Sequence, residues 1–389
     1  MRSKIAVRVL AYFIATWGTI ITLAFGLFPG SAIVAVGVAV YFTVPLFAFL
    51  RWRGWPFYPS AAFRLFIVRP FWYAQLLLPL VSAGALLGLI GGLPFGHALD
   101  SGRIVAGVVF IAVTAILFAG YFGSRRLVVR EVDVVVPGLA DAFDGLRIAQ
   151  LSDLHVGPHI PRRFLARVLD TTRRMAPDII AVTGDLIDDR AEDVAVYAKT
   201  LGELDAPLGV FVIPGNHDVY AGWEEVEHAL RTSDVGTVLV NDVALVSRNG
   251  ETLALLGTGD PAGGRRGSSR AAPDIDRAMA RVPSDTTVIA LAHNPALWPA
   301  LARHGVALTL SGHTHWGQFA FPRCDWSLAS LFLEHAMGAH VEKDSALYIS
   351  PGTGYWGIPF RLGASPEVTL ITLRRGAVTA ARVHPARAA

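Results

Sequence analysis

The stretch Gly145-Leu-Arg-Ile-Ala-Gln-Leu-Ser-Asp-Leu-His-Val-Gly157 runs an apolar strand almost directly into side chains that can bind a metal. Leu146–Leu151 has the short apolar pattern of a buried strand, and Asp153-Leu154-His155 follows it at once. The arrangement recurs four times downstream. Gly184-Asp185 follows the strand-like Asp178–Thr183, and Gly215-Asn216-His217-Asp218 follows Gly209–Ile213. Ala292-His293-Asn294 ends the run that begins at Thr287, and Gly312-His313-Thr314-His315 comes after Val306–Leu310. Ligand sites of α/β sheets gather beyond the carboxyl ends of strands. One such histidine is ordinarily a satisfied core or loop residue, but five strand ends of one kind predict a site.

The donor types narrow the chemistry. Carboxylate oxygen, amide oxygen and imidazole nitrogen suit Mn, Fe, Zn, Co or Mg, and thiolate is absent from all five clusters. A carboxylate can bridge two such ions about 3.5–4 Å apart, the spacing that clamps an in-line displacement at phosphorus and acidifies the attacking water.

Around these clusters, short β-branched runs alternate with polar, helix-like stretches. Further strands are expected at Leu127–Val136, Thr252–Leu256, Ala346–Ser350 and Glu367–Leu373. Pro161–Met175 has a helical period, with Phe164, Leu165, Val168 and Leu169 as the core stripe and five arginines on the solvated face. Alternation of this kind predicts an α/β domain. Asp260–Arg270, rich in Gly, Arg and Ser, reads as a flexible loop.

The front third differs. Of the 389 residues, 17% are charged, against about 25% in ordinary soluble domains. Residues 1–130 hold eleven Arg or Lys and one acid, Asp100; the remainder holds 23 basic and 30 acidic residues. Apolar runs at Leu10–Phe28, Ser31–Leu50, Phe71–Gly92 and Ile104–Phe122 are each near the 20 residues needed to span a bilayer, and none has an interior charge. The first is too long for a signal peptide's apolar core, although Arg2, Lys4 and Arg8 resemble a basic leader.

Basic residues flank the runs at Arg2, Lys4 and Arg8, at Arg51, Arg53, Arg64 and Arg69, and at Arg125, Arg126 and Arg130. By the positive-inside rule these three segments, and the C-terminal domain, are cytoplasmic. Trp55, Phe57, Tyr58, Trp72 and Tyr73 fit an interfacial aromatic belt. Gly84, Gly88 and Gly92 recur every four residues, which either lets a second helix approach closely or reflects the abundance of glycine in membrane helices. The absence of intramembrane ionisable groups disfavours transport. The expected organisation is a four-helix transmembrane anchor over 1–126 and a second domain over 127–389. Cys324, the one cysteine, rules out intrachain disulfides.

Taken together, the five blocks resemble the calcineurin-like metallophosphoesterase superfamily, and within it a membrane-linked bacterial phosphodiesterase-like branch. The likeness covers about residues 127–375 and carries its motifs in order: the Asp153-Leu-His155 segment, Gly-Asp-Leu-Ile-Asp188, Gly-Asn-His-Asp218, Ala-His-Asn-Pro295 and Gly-His-Thr-His315. It implies an α/β/β/α sandwich with two divalent metal ions at the strand ends. Asp153, His155 and His315 would then hold the first ion, and Asn216, His293 and His313 the second, with Asp185 bridging. It further implies that His217 is the general acid, with Asp218 orienting its other ring nitrogen, and that Asp188 is structural. Ser350-Pro-Gly-Thr-Gly354 and Ile358-Pro-Phe-Arg361 resemble the branch's closing segment. Arg361 would bind a phosphate oxygen or pair with Glu367 or another acid.

The function expected is hydrolysis of a phosphodiester or phosphomonoester, on a lipid-linked or membrane-proximal substrate, at the inner or plasma membrane. The rival is a non-catalytic membrane scaffold, or a metal or phosphate sensor; the full ligand set and the His217–Asp218 pair favour the enzyme. Nucleic acid is not an expected partner, because the second domain is acidic and has no basic stripe.

Overall fold

The computed structural model describes residues 2–51 and 60–389. Arg53, Trp55, Phe57 and Tyr58, expected to flank the membrane, lie outside the described residues. The chain divides into two compact units, Met1–Ala119 and Gly120–Ala389.

The first unit is helical: α1 (Arg2–Leu27), α2 (Ala32–Arg51), α3 (Arg69–Gly92) and α4 (Ala98–Gly123). All four are long and apolar enough to cross a membrane. Their large side chains, such as Ile33, Leu87 and Ile111, point outward and stay exposed, as a hydrocarbon solvent allows. Inside, Phe13, Trp17, Phe42 and Phe71 pack ring against ring at 5.6–6.4 Å. The glycine stripe is an approach surface. A Cβ on Gly88 would lie 2.5 Å from the Ser101 carbonyl oxygen and 2.9 Å from Gly102 Cα, so only glycine lets α3 and α4 meet there.

The second unit is built on two sheets. Its strands are β1 (Val128–Val136), β2 (Arg147–Leu151), β3 (Ile179–Thr183), β4 (Val210–Ile213), β5 (Thr237–Val238), β6 (Asp242–Arg248), β7 (Glu251–Gly257) and β8 (Thr287–Leu291). They continue as β9 (Leu308–Ser311), β10 (Ala320–Phe321), β11 (Trp326–Ser327), β12 (Gly338–Glu342), β13 (Ser345–Ile349), β14 (Glu367–Arg375), β15 (Ala380–Val383) and β16 (Arg387–Ala388). One sheet runs β15-β1-β14-β2-β3-β4-β5, with β16 on β1; the other runs β12-β13-β9-β8-β7-β6.

Period-two alternation assembles the layers. Ile148, Ile179 and Phe211 face Leu253, Leu255, Ile289, Leu308 and Tyr348 of the opposite sheet, forming the central core. Their neighbours Ala149, Ile180 and Val212 turn the other way, onto Leu165, Val168, Val194, Trp223 and Leu230 of three helices. On the far side Ala254, Leu256, Val288 and Ala290 cover Ala278 and Leu301 of two short helices. The result is the expected four-layer α/β/β/α sandwich.

Every strand expected from the sequence is present, and the helix expected near Pro161–Met175 spans Arg162–Arg174. One expectation is corrected. Pro261–Arg266, within the supposed flexible loop, is a short helix whose first free amide, on Ala262, donates to the Asp260 carboxylate at 2.8 Å. Proline at the first helical position suits such a start, and it outweighs the two glycines that follow.

Candidate metal centre

The strands β2, β3 and β4 are mutually parallel, as are β7, β8 and β9, so their carboxyl ends deliver five loops to one edge of the sandwich. Asp153, His155, Asp185, His313 and His315 all carry φ between 46° and 69°, the left-handed region that residues other than glycine seldom enter. Such strain is of the order of 1–3 kcal/mol per residue and is held by surrounding contacts. Here those contacts are close. A Cβ on Gly312 would overlap the Ser152 hydroxyl and the Asp153 carboxylate, so the Gly312-His313 turn can lie on Asp153 only without one.

Seven expected side chains converge. His155 Nε2 lies 3.1 Å from His315 Nε2, which lies 3.3 Å from Asp153 Oδ1. Asn216 Oδ1 lies 2.6 Å from His313 Nδ1 and 3.2 Å from His293 Nε2. Between the two sets, Asp185 Oδ2 is 3.2 Å from His293 Nε2 and 3.7 Å from His155 Nε2. Ligand atoms bound at about 2.0–2.2 Å to one ion stand roughly 3 Å apart, so these separations and this N/O donor set fit divalent metal. Asp153, Asp185, His155, His293 and His315 fall into several candidate metal-holding groups, and Asp185 joins two of them.

The family model for calcineurin-like phosphoesterase matches residues 146–317, a span that contains all seven side chains. A metallophosphoesterase of Helicobacter pylori (strain J99) is 32% identical over 266 residues, covering 68% of this chain and 69% of that protein. The chain belongs to the calcineurin-like metallophosphoesterase family. It is also 32% identical over 291 residues to the "Transmembrane protein with metallophosphoesterase domain" of Danio rerio, covering 72% of this chain but 65% of that relative's length. A metallophosphoesterase of Bacillus subtilis, YkuE, is 28% identical over 261 residues, 66% of this chain and 89% of its own.

Around the candidate ligands, outer contacts orient the side chains. His293 Nδ1 donates to the Thr183 carbonyl oxygen at 2.8 Å, which leaves the Nε2 lone pair toward Asn216 and Asp185. His155 Nδ1 faces Asp188 Oδ1 at 3.3 Å, so the imidazole is oriented by a carboxylate. Asp188 also approaches His159 and His217 at 3.7 Å, and with Asp189 and His217 it forms a further candidate metal-holding group.

Electrostatics follow from burial and crowding. Burial pushes the Asp185 carboxyl up, but His293, His217 and His155 outweigh it and hold the group below the usual carboxylate range. Burial, then the nearby His293 charge, lowers His313 to about 4. Asp189 is raised to about 6 by burial and by its neighbour Asp188.

Two expectations differ from what is found. Asp218 does not touch the His217 imidazole: its carboxylate accepts from the amides of Gly215 at 2.8 Å, Ile187 at 3.1 Å and Leu186 at 3.3 Å. It sits in the first turn of the short helix Asn216–Tyr220, where a carboxylate folds back on free amides. Burial and the neighbouring Asp185 push its pKa up to about 6. The His217 ring is oriented instead by donating from Nδ1 to the Asp188 carbonyl oxygen at 2.8 Å, while its backbone amide donates to Asp185 at 2.8 Å.

Nor does Arg361 pair with Glu367. It is buried, and its guanidinium meets the His315 carbonyl at 3.1 Å, the His315 ring at 2.7 Å, and the carbonyls of Gly354 and Pro351. Glu367 is taken by Arg130 at 2.6 Å and by the Tyr348 hydroxyl at 2.6 Å. Arg361 thus braces the loop that carries His315.

Tyr220 and Trp356, which no sequence motif marks, stand beside His217. Both are exposed, with ring centroids 5.7 and 5.9 Å from that of His217. Tyr220 stands three residues beyond His217 on its helix, which was the available signal; Trp356 lies far off in sequence and gave none.

Proposed function

We propose that residues 127–389 form a dinuclear metal-dependent phosphoester hydrolase, carried by a transmembrane anchor over 1–126. The observation that supports it best is Asp185, whose one carboxylate oxygen lies within 3.7 Å of a histidine from each ligand set. Asp153, His155 and His315 would hold one ion, and Asn216, His293 and His313 the other, with Asp185 common to both. The ions, when bound, supply Lewis acidity toward the phosphoryl group and an acidified water.

The chain's own part is orientation and proton transfer. The Asp188 carbonyl holds the His217 Nδ1–H, so Nε2 is the ring nitrogen left for proton transfer; as the imidazolium the ring would break its Nε2–H bond as the leaving oxygen gains the proton, and would keep Nδ1–H on Asp188. Asp218 pins the two loops that carry Asp185 and His217, and so fixes the distance between bridge and acid. Tyr220 and Trp356 flank the acid and would receive the leaving group. The four membrane-spanning candidates support a lipid-linked or membrane-proximal ester as the substrate, and the arginine pattern supports a cytoplasmic side for the domain.

The test is hydrolysis of bis-p-nitrophenyl phosphate and p-nitrophenyl phosphate by the purified full chain with Mn, Fe, Zn, Co or Mg added singly. Failure of every pairing in protein that holds two ions sinks the enzyme reading. His217→Asn should keep its metal and lose about 10²–10⁴-fold in turnover on esters with poor leaving groups. The loss should shrink for p-nitrophenolate, which needs little protonation; equal losses on both would remove the acid role.

A further inference from the structure

The two main sheets leave out one piece of the second unit, the hairpin β10–β11 and the turn that follows it. Phe319, Phe321 and Trp326 pack together at 5.1–6.1 Å, and Leu328 donates its amide to the Phe319 carbonyl at 2.8 Å, so the segment is locally built. Its underside is fixed by buried Ala320, Ser327 and Ala329. Its outer side is apolar and open: Phe321, Leu328, Leu331 and Leu333 are exposed, and Phe332 is 82% exposed. From Trp326 to Leu333 eight consecutive residues carry no charge. Elsewhere in the sandwich the large apolar side chains are mostly inside, and soluble surfaces rarely gather such a patch without a partner.

We propose that Phe319–Leu333 is a membrane-docking loop, which inserts its apolar tip into the lipid surface of the bilayer that the chain's own helices span. Three features argue for lipid as the occupant. The chain carries four helices fit to cross a membrane. Only Ser124–Leu127 separate the end of α4 from β1, a tether of roughly 14 Å when fully extended. Finally, the patch pairs a tryptophan with Phe and Leu beside an exposed Arg323, the composition of an interfacial segment rather than of a protein seam rich in hydrogen bonds.

The loop also begins four residues after His315, joined through the turn His315–Gln318. Insertion of this loop into lipid requires no hydrolysis.

Because Cys324 is the only cysteine, a Cys324→Ser background allows single-site labelling of the full chain. Phe332→Cys and Val378→Cys, the latter 73% exposed in a turn outside the patch, would each carry an environment-sensitive fluorophore. Both would be reconstituted into phosphatidylethanolamine–phosphatidylglycerol vesicles with nitroxide-labelled lipid. The expected result is blue-shifted emission at 332, lost to lipid nitroxide and protected from aqueous iodide, with the reverse at 378. Iodide quenching at 332 equal to that at 378 overturns the proposal. So does a 332 label that neither quencher reaches, because protein would then cover the loop.

Discussion

The helical unit and the sandwich handle the same side chains in opposite ways. In the first, Ile33, Leu87 and Ile111 face out while small residues and a few rings face in; in the second, Ile148, Leu255 and Leu308 are wholly buried. Each obeys one rule, that apolar surface avoids water, in a different solvent. Polarity inverts along with it. The anchor needs glycine to bring helices together, whereas the sandwich uses glycine to bring backbone onto charged ligands.

The contrast can be broken at its strongest point in the sandwich. Asp185→Asn should strip metal from both positions and lower turnover by more than the 10–100-fold typical of outer contacts. Metal analysis that finds two tightly held ions in this variant would remove the bridging assignment.

A second change probes buried charge. Glu367→Gln leaves Arg130 without its anion inside the sandwich, and breaking a buried pair from one side costs about 3–5 kcal/mol. Denaturant unfolding of the second unit should register it, while the helical signal of the anchor stays in place. An unchanged midpoint would mean that the pair is not desolvated.

Gly88→Ile sharpens the comparison from the other side. Overpacking a close contact costs about 1–3 kcal/mol. It should lower the thermal stability of the anchor in detergent and leave turnover of a soluble ester intact. Full thermal resistance would show that α3 and α4 have room between them.

The smallest effect expected is electrostatic and near the surface. Burial raises Asp133, but His384 at 2.6 Å and Arg374 at 3.2 Å outweigh it and hold its carboxyl below the usual 3.8. A depressed acid contributes stability above its unfolded pKa and loses it as pH falls through the folded value. Asp133→Asn should therefore lower the melting temperature slightly at neutral pH and converge with the parent below about pH 3.8. A gap that persists in acid would assign the effect to packing.

Much of this was legible in the chain. Uninterrupted apolar length predicted α1–α4, and strand-then-ligand spacing predicted which loops meet, because parallel strands in one sheet must end on one side. Direction was not legible. The motif Gly-Asn-His-Asp places Asp218 beside His217, yet the turn of the helix sends the two side chains to different partners. Arg361 read as a phosphate ligand or an ion-pair partner, since nothing in sequence reveals that β14 has already given Glu367 to Arg130. The strands β5, β10 and β11 are two residues each, too short for any period to register.

The place of β14 carries a consequence for how the molecule is made. It lies between β1 and β2, parallel to the one and antiparallel to the other, so the first strand of the sandwich has no permanent neighbour there until residues 367–375 exist. A ribosome that has delivered the four apolar helices and all seven candidate ligands behind them has still not delivered the strand that joins β1 to β2. Contacts so distant in sequence form late and slowly. The nascent domain would wait with an open seam between β1 and β2, and a chain cut short before Glu367 would carry all seven candidate ligands with β1 unjoined to β2.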